Sequence, residues 1–84
     1  MATVTLTPEA AEQLDRLAKR IHGRVQKLLD RLEAWPRVSG AKALRGSLAG
    51  WFRMLTGDYR LRFRAKEEHI IVDKIGHRSD FYED

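Results

Sequence analysis

The chain changes its hydrophobic period near its middle. Up to Trp35 apolar residues recur every three or four positions, and from Trp51 onward they recur every second position. A period near 3.6 lays an apolar stripe along a helix, whereas a period of two lays alternate side chains on one face of a strand. The first half therefore asks for helices and the second for a sheet. Each element has a single apolar side, so the two halves must bury those sides against each other.

In the helical half, "TPEAAEQLDRLAKRI" (7–21) offers Thr7 as N-cap, Pro8 at the first helical position and Glu9 where the helix dipole favours negative charge. Its apolar set is Ala10, Leu14, Leu17, Ala18 and Ile21. Gly23 interrupts, and "RVQKLLDRLEAW" (24–35) resumes with Val25, Leu28, Leu29, Leu32 and Trp35 until Pro36 stops it. The expectation is a helical hairpin broken near Gly23. Before it, the β-branched "ATVTL" (2–6) reads as a strand. Residues 36–46 form a connection with room for a short strand near Lys42 to Arg45. Three strands follow, at about 51–56, 59–65 and 69–76, with turns at Gly57-Asp58 and Lys66-Glu67-Glu68. In the tail, Ser79 is placed to cap a brief final turn. The expected fold is α+β in the order β-α-α-β-β-β, a two-helix hairpin on one face of a mainly antiparallel four-stranded sheet, with residues 1–84 forming one domain.

Composition narrows the class. There are no cysteines, which removes disulfides and thiolate metal sites and points to a cytosolic setting. No basic segment followed by an apolar one opens the chain, and no apolar run approaches the ~20 residues of a membrane span, so neither a signal peptide nor a span is expected. The net charge of +4 is unevenly spread: residues 43–64 carry five basic residues against one acid, while residues 65–84 carry three against six. Eleven of the sixteen basic residues are Arg, whose planar fork suits bidentate phosphate contacts, so a polyanion is a plausible partner.

The positive charge peaks in "GDYRLRFR" (57–64). On a strand, Tyr59, Leu61 and Phe63 face one way, toward the helices, and Arg60, Arg62 and Arg64 face the other. Two readings are open. An antiparallel sheet with one wet face needs polar residues there, and solvation explains a row of charge. Alternatively, with Arg53 on the preceding strand, Arg45 before Gly46 and Arg78 after the last strand, the cluster repels itself unless an anion or an acid intervenes, and Asp73 is the only acid in those strands. His77, Arg78 and Tyr82 are the groups near the end of the last strand able to take part in proton chemistry, His77 having an edge-capping alternative. His22 and His69 read as surface residues, and without paired His or Cys spacing neither a metal nor another cofactor is expected. The carboxylate pairs lie where solvation explains them, and Trp35 and Trp51 read as packing residues.

The stretches "LRGSLAGWFRMLTGDYRLRFR" and "IVDKIGHRSDFY" resemble the toxins of type II toxin–antitoxin modules, the RelE/ParE superfamily. The features that carry the resemblance are Leu44-Arg45-Gly46, Phe52-Arg53, Gly57-Asp58-Tyr59-Arg60, Gly76-His77-Arg78 and Tyr82. It spans the whole chain, since the family shares this length and element order. The resemblance implies one of two activities, cleavage of messenger RNA on the ribosome (RelE-like) or inhibition of DNA gyrase (ParE-like), and the "GHR...Y" ending looks more like the first. Carried over, Arg60, Arg78 and Tyr82 are the residues that contact the scissile region. Metal-free cleavage by attack of a 2′-OH needs a proton acceptor, stabilisation of the crowded phosphate and a proton donor. Arg60 is expected to clamp that phosphate, Arg53 and Arg78 to share its charge, and His77 or Tyr82 to move protons or stack on a base. Arg45, Arg62 and Arg64 are expected to guide RNA. The strand Trp51 to Leu55 has only Arg53 as a basic residue, where well-known ribosome-dependent members often carry lysines, which leaves two readings open: His77 substitutes as the base, or the chain is a weak nuclease or none. The family also implies a cognate antitoxin as partner. A basic RNA-binding module without cleavage is a third reading.

Overall fold

Thr7 starts the helical half as its sequence context predicts. In the computed structural model, which describes residues 1–81, Thr7 Oγ1 accepts a hydrogen bond from Ala10 N–H at 3.1 Å, and Pro8 opens α1 (Pro8–Asp15). α2 follows as Lys19–Leu32. The break between them falls at residues 16–18 instead of at Gly23, which lies inside α2. Gly23 faces solvent, where a Cβ would meet nothing within 4 Å. It costs the helix some propensity but disturbs no packing, so nothing forces a break there. The chain turns earlier because Arg16 caps α1, its N–H bonding back to Glu12 and Leu14 carbonyls.

The strands are β1 (Thr3–Leu6), β2 (Lys42–Ala43), β3 (Trp51–Thr56), β4 (Tyr59–Lys66) and β5 (His69–His77). They form one sheet in the order β1-β5-β4-β3-β2. The sheet thus has five strands instead of four. The additional one is the two-residue β2, inside the stretch where a short strand had room. It is also mixed: β1 runs parallel to β5, because the helices carry the chain back across the sheet, while the other pairs are antiparallel. Gly57 turns the β3–β4 hairpin with φ 59°, the positive value that a primed two-residue loop requires at its first position.

Both helices lie on one face. Ala10 and Leu14 of α1 and Val25, Leu28, Leu29 and Leu32 of α2 bury against Met54, Leu61, Phe63, Ile70, Val72 and Ile75. Phe63 is enclosed by Trp35 edge-on at 5.3 Å and Phe52 stacked at 5.5 Å. Trp35, expected at the end of a helix, sits three residues past α2 and still packs into this core.

β5 does not keep a strict alternation. Phe63 stands opposite Val72 and Arg62 opposite Lys74, so Asp73 is one residue extra, a β-bulge. Ile70 and Val72 face the helices before it, and Ile75 does so after it. The Ile75 N–H beside the bulge donates to Gln13 Oε1 of α1 at 2.8 Å, so a helix side chain completes the backbone pairing at this point. Past β5, the chain makes a 3-10 turn at Arg78–Asp80. Its cap is His77, not Ser79: Ser79 N–H donates to His77 Nδ1 at 3.1 Å. Among the described residues no helix is long and apolar enough to cross a membrane.

Gln13→Ala leaves the part-buried Ile75 N–H without its acceptor and should lower the unfolding free energy by about 1–3 kcal/mol in urea titrations. Gln26→Ala, which removes only an exposed contact to Asp30, should change it by less than about 0.5 kcal/mol.

Candidate functional site

The sheet face away from the helices is organised in three cross-strand rows. Nearest the β4–β5 turn, Trp51, Arg64 and Ile71 stand side by side on β3, β4 and β5. The middle row holds Lys42, Arg53, Arg62 and Lys74. The third holds Leu55, Arg60 and Gly76. Successive rows are about 7 Å apart, two residues along a strand. Asp73 is the only acidic residue in any strand of the described residues.

Four cations in one row repel each other, and the bulge supplies the compensation. Arg62 Nε donates to Asp73 Oδ1 at 2.9 Å and its Nη2 to Oδ2 at 2.7 Å, a two-pronged pair whose side chains are only 16% and 21% exposed. Arg62 is therefore held in place and largely neutralised. Arg53 and Arg60 are half-buried, and the Nε of each lies beneath the surface, so their guanidinium groups are drawn onto the sheet. Arg64 remains exposed.

Arg60 stands opposite a residue with no side chain. A Cβ on Gly76 would come within 3.2 Å of Asp80 Oδ2 and 3.9 Å of Phe81 Cε1, so the glycine lets the final 3-10 turn fold back over the open face. Phe81 is buried there, with Lys74 Nζ 4.7 Å from its ring centroid and donating to the Asp80 carbonyl. The result is a shallow wall beside Arg60.

The other expected site residues are distributed around this face. Arg78 lies at the rim, two residues beyond Gly76, its N–H donating to the Asp58 carbonyl at 2.7 Å and its Nε 4.0 Å from Asp58 Oδ1. Arg45 is exposed on the connection after β2, outside the rows. Tyr82 lies outside the described residues. His77 stands opposite Tyr59, with the rings edge to face at 5.5 Å, and so is on the helix side of the sheet. There it lines a cleft of about 470 Å³ with Arg20, Ile21, Arg24, Gly57, Asp58 and Tyr59. Because its Nδ1 accepts from a backbone N–H, the neutral ring carries its proton on Nε2. Arg53, Arg60, Arg62 and Arg64 are thus brought together, and His77 is separated from them by the sheet.

Lys42, Lys74 and Trp51 were not among the expected site residues. Lys42 gains its place only through the register of a two-residue strand. Lys74 reaches the open face through the bulge, and the spacing Ile70, Val72, Ile75 is the signal that reveals it. Among the described residues no three His, Asp or Glu side chains are grouped to hold a metal ion.

Asp73→Ala leaves the Arg62 guanidinium mostly buried beside like charges and should destabilise the fold by about 2–4 kcal/mol. Glu12→Ala, which removes the exposed ion pair with Arg16, should cost no more than about 0.5 kcal/mol. Thermal denaturation of the two variants, side by side, checks the contrast.

Residues 4–82 match the family model described as the ParE toxin of the type II toxin–antitoxin system parDE. The chain is 36% identical over 83 residues to Toxin RelG of Mycobacterium tuberculosis, covering 95% of this chain and 94% of that protein. In structure it resembles a chain of the toxin–antitoxin complex RelBE2 from Mycobacterium tuberculosis, with a TM-score of 0.80, 29% identity and coverage of 92% of this chain and 98% of the other. The isolated E. coli RelE toxin shares the fold at a TM-score of 0.77, with 20% identity and coverage of 92% and 84%.

Proposed function

The chain belongs to the family of ParE toxins of type II toxin–antitoxin systems, within the RelE/ParE superfamily, and from that premise we propose that it is a RelE-like toxin that cleaves messenger RNA in the ribosome. The observation that carries this reading is the helix-free sheet face, where Arg53 stands beside the neutralised Arg62 in the middle row and Arg60, in the next row, stands over the gap left by Gly76. A phosphodiester laid on that face meets guanidinium groups already fixed on rigid strands, so little reorganisation is needed as charge builds up.

In the proposed reaction the 2′-oxygen bonds to the adjacent phosphorus as its proton passes to solvent water, and the bond to the 5′-oxygen breaks as that oxygen takes a proton from water. The products are a 2′,3′-cyclic phosphate and a free 5′-hydroxyl. Arg60 clamps the non-bridging oxygens, with Arg53 one row away and Arg78 at the rim sharing the charge. Tyr82 is assigned the role of stacking on a base or moving a proton. His77 acts by position: its ring caps the final turn, which aims Arg78 across the Asp58 hairpin. Arg64 and Arg45 guide the RNA backbone electrostatically.

Arg60→Ala should relieve growth arrest on expression and reduce transcript cutting, mapped by primer extension, by about 100-fold or more. Unchanged cutting would remove Arg60 from the site. The ParE description of the matching family favours a second reading, inhibition of DNA gyrase. Its test is purified gyrase with supercoiled plasmid: accumulation of cleaved plasmid would replace the ribosomal reading. The RelBE2 neighbour is a toxin–antitoxin complex, which supports a cognate antitoxin as partner for this chain, one whose acidic or amphipathic segment folds onto the basic face or along the helices.

A further inference from the structure

The row formed by Trp51, Arg64 and Ile71 is chemically unlike the two beside it. Its members are an aromatic ring, a guanidinium and an aliphatic side chain in register on three strands. The guanidinium carbons of Arg62 and Arg64 each lie 5.3 Å from the Trp51 ring centroid. Arg62 is itself tethered to Asp73, so the indole is braced against a fixed group and stays half-exposed without collapsing onto the sheet. Beside it is a recess of about 390 Å³ lined by Ala49, Gly50, Trp51, Arg64, Lys66 and Ile71, among others. That volume is at the small end of ligand sites.

Flat apolar walls with a guanidinium and an ammonium at the margin suit one kind of ligand: a planar ring joined to a phosphate. The geometry points to this recess as a nucleotide subsite for single-stranded RNA, in which a base stacks on Trp51 against Ile71 while Arg64 and Lys66 hold its phosphate. The inference rests on the RNA-cleaving reading and adds to it a second anchoring point. The row lies about 13 Å along the strands from Arg60, a span that two extended nucleotides cross. Trp51 would thus fix the register of the strand whose scissile phosphate lies on Arg60. An acidic protein segment fits less well, since it gains nothing from a ring face and the neighbouring Arg62 already has its carboxylate.

The test is fluorescence anisotropy with the full chain and a labelled oligoribonucleotide of eight nucleotides, 2′-O-methylated throughout so that it binds without being cut. Trp51→Leu, which keeps apolar bulk but no ring, should weaken binding by roughly 5- to 100-fold, and Trp51→Phe should stay within about threefold of the parent. Neither should change the slope of log affinity against log salt, whereas Arg64→Gln and Lys66→Gln should each reduce it by about one phosphate. An abasic position moved along the oligonucleotide should cost the parent protein most at one place, and there Trp51→Leu should add nothing. Circular dichroism confirms that each variant is folded. Equal binding by Trp51→Leu and the parent, or the same abasic cost at every position, would overturn the subsite. So would a glutamate-rich peptide that displaces the RNA and is itself weakened by Trp51→Leu. If the abasic coupling appears but expressed protein cuts no transcript, the subsite stands and the cleavage reading falls. If transcripts are cut and the coupling is absent, the subsite alone falls.

Discussion

The arrangement of the open face depends on one extra residue, Asp73. A strand that kept strict alternation from Ile70 would turn Lys74 into the core and Ile75 out of it, and would leave Gly76 on the helix side. The bulge reverses the parity halfway along β5, so an acid and a lysine occupy the open face in succession and Ile75 returns to the core. The same shift puts Gly76 opposite Arg60 and His77 opposite Tyr59. Two side chains keep the irregularity in place from opposite sides of the sheet, Gln13 from α1 and Arg62 from β4. One meets the backbone hydrogen bond and the other meets the charge.

This explains how a small sheet tolerates so many cations on one side. Like charges in register on adjacent strands are unfavourable, and the middle row would be the worst of the three. Asp73 removes one of its half-buried charges from that competition. What remains is graded: Arg53 and Arg60 drawn partly into the sheet, Arg64 and Lys42 in solvent, Arg78 beyond the edge. A phosphate approaching from solvent meets the exposed charges first and the half-buried ones last. That order suits attraction at long range followed by orientation at short range.

Most of the architecture was readable from residue order because it follows from period and punctuation. Thr7-Pro8 began the first helix, Gly57-Asp58 turned a hairpin, and the switch from period 3.6 to period two divided helices from sheet. The break between the helices was harder to find, because Gly23 weakens a helix without ending it when its missing side chain would only have faced water. The two-residue β2 is too short to show a period of its own. At the site, Arg60, Arg62 and Arg64 fell on one face by simple alternation, but that Asp73 breaks the rule on β5 shows only in the uneven spacing of Ile70, Val72 and Ile75. The division between Arg60 and His77, which the sequence assigned to one site and the sheet keeps on opposite faces, follows from that one residue. Trp51 read as a packing residue because nothing in its local sequence says that the two arginines ten or more positions later will stand against its ring.

The pairing of the first strand with the last has a consequence for how the protein is made. β1 is made well before its partner β5, and among the described residues β1 pairs with no other strand. Closing so large a loop carries an entropy cost that short-range hairpins avoid. The β3–β4 hairpin and the helices can form while synthesis continues, but the row containing Gly76 does not exist until β5 has joined. The arginine face is therefore the last part of this fold to be finished, and a chain that has formed only its hairpin and helices holds the charges without their arrangement.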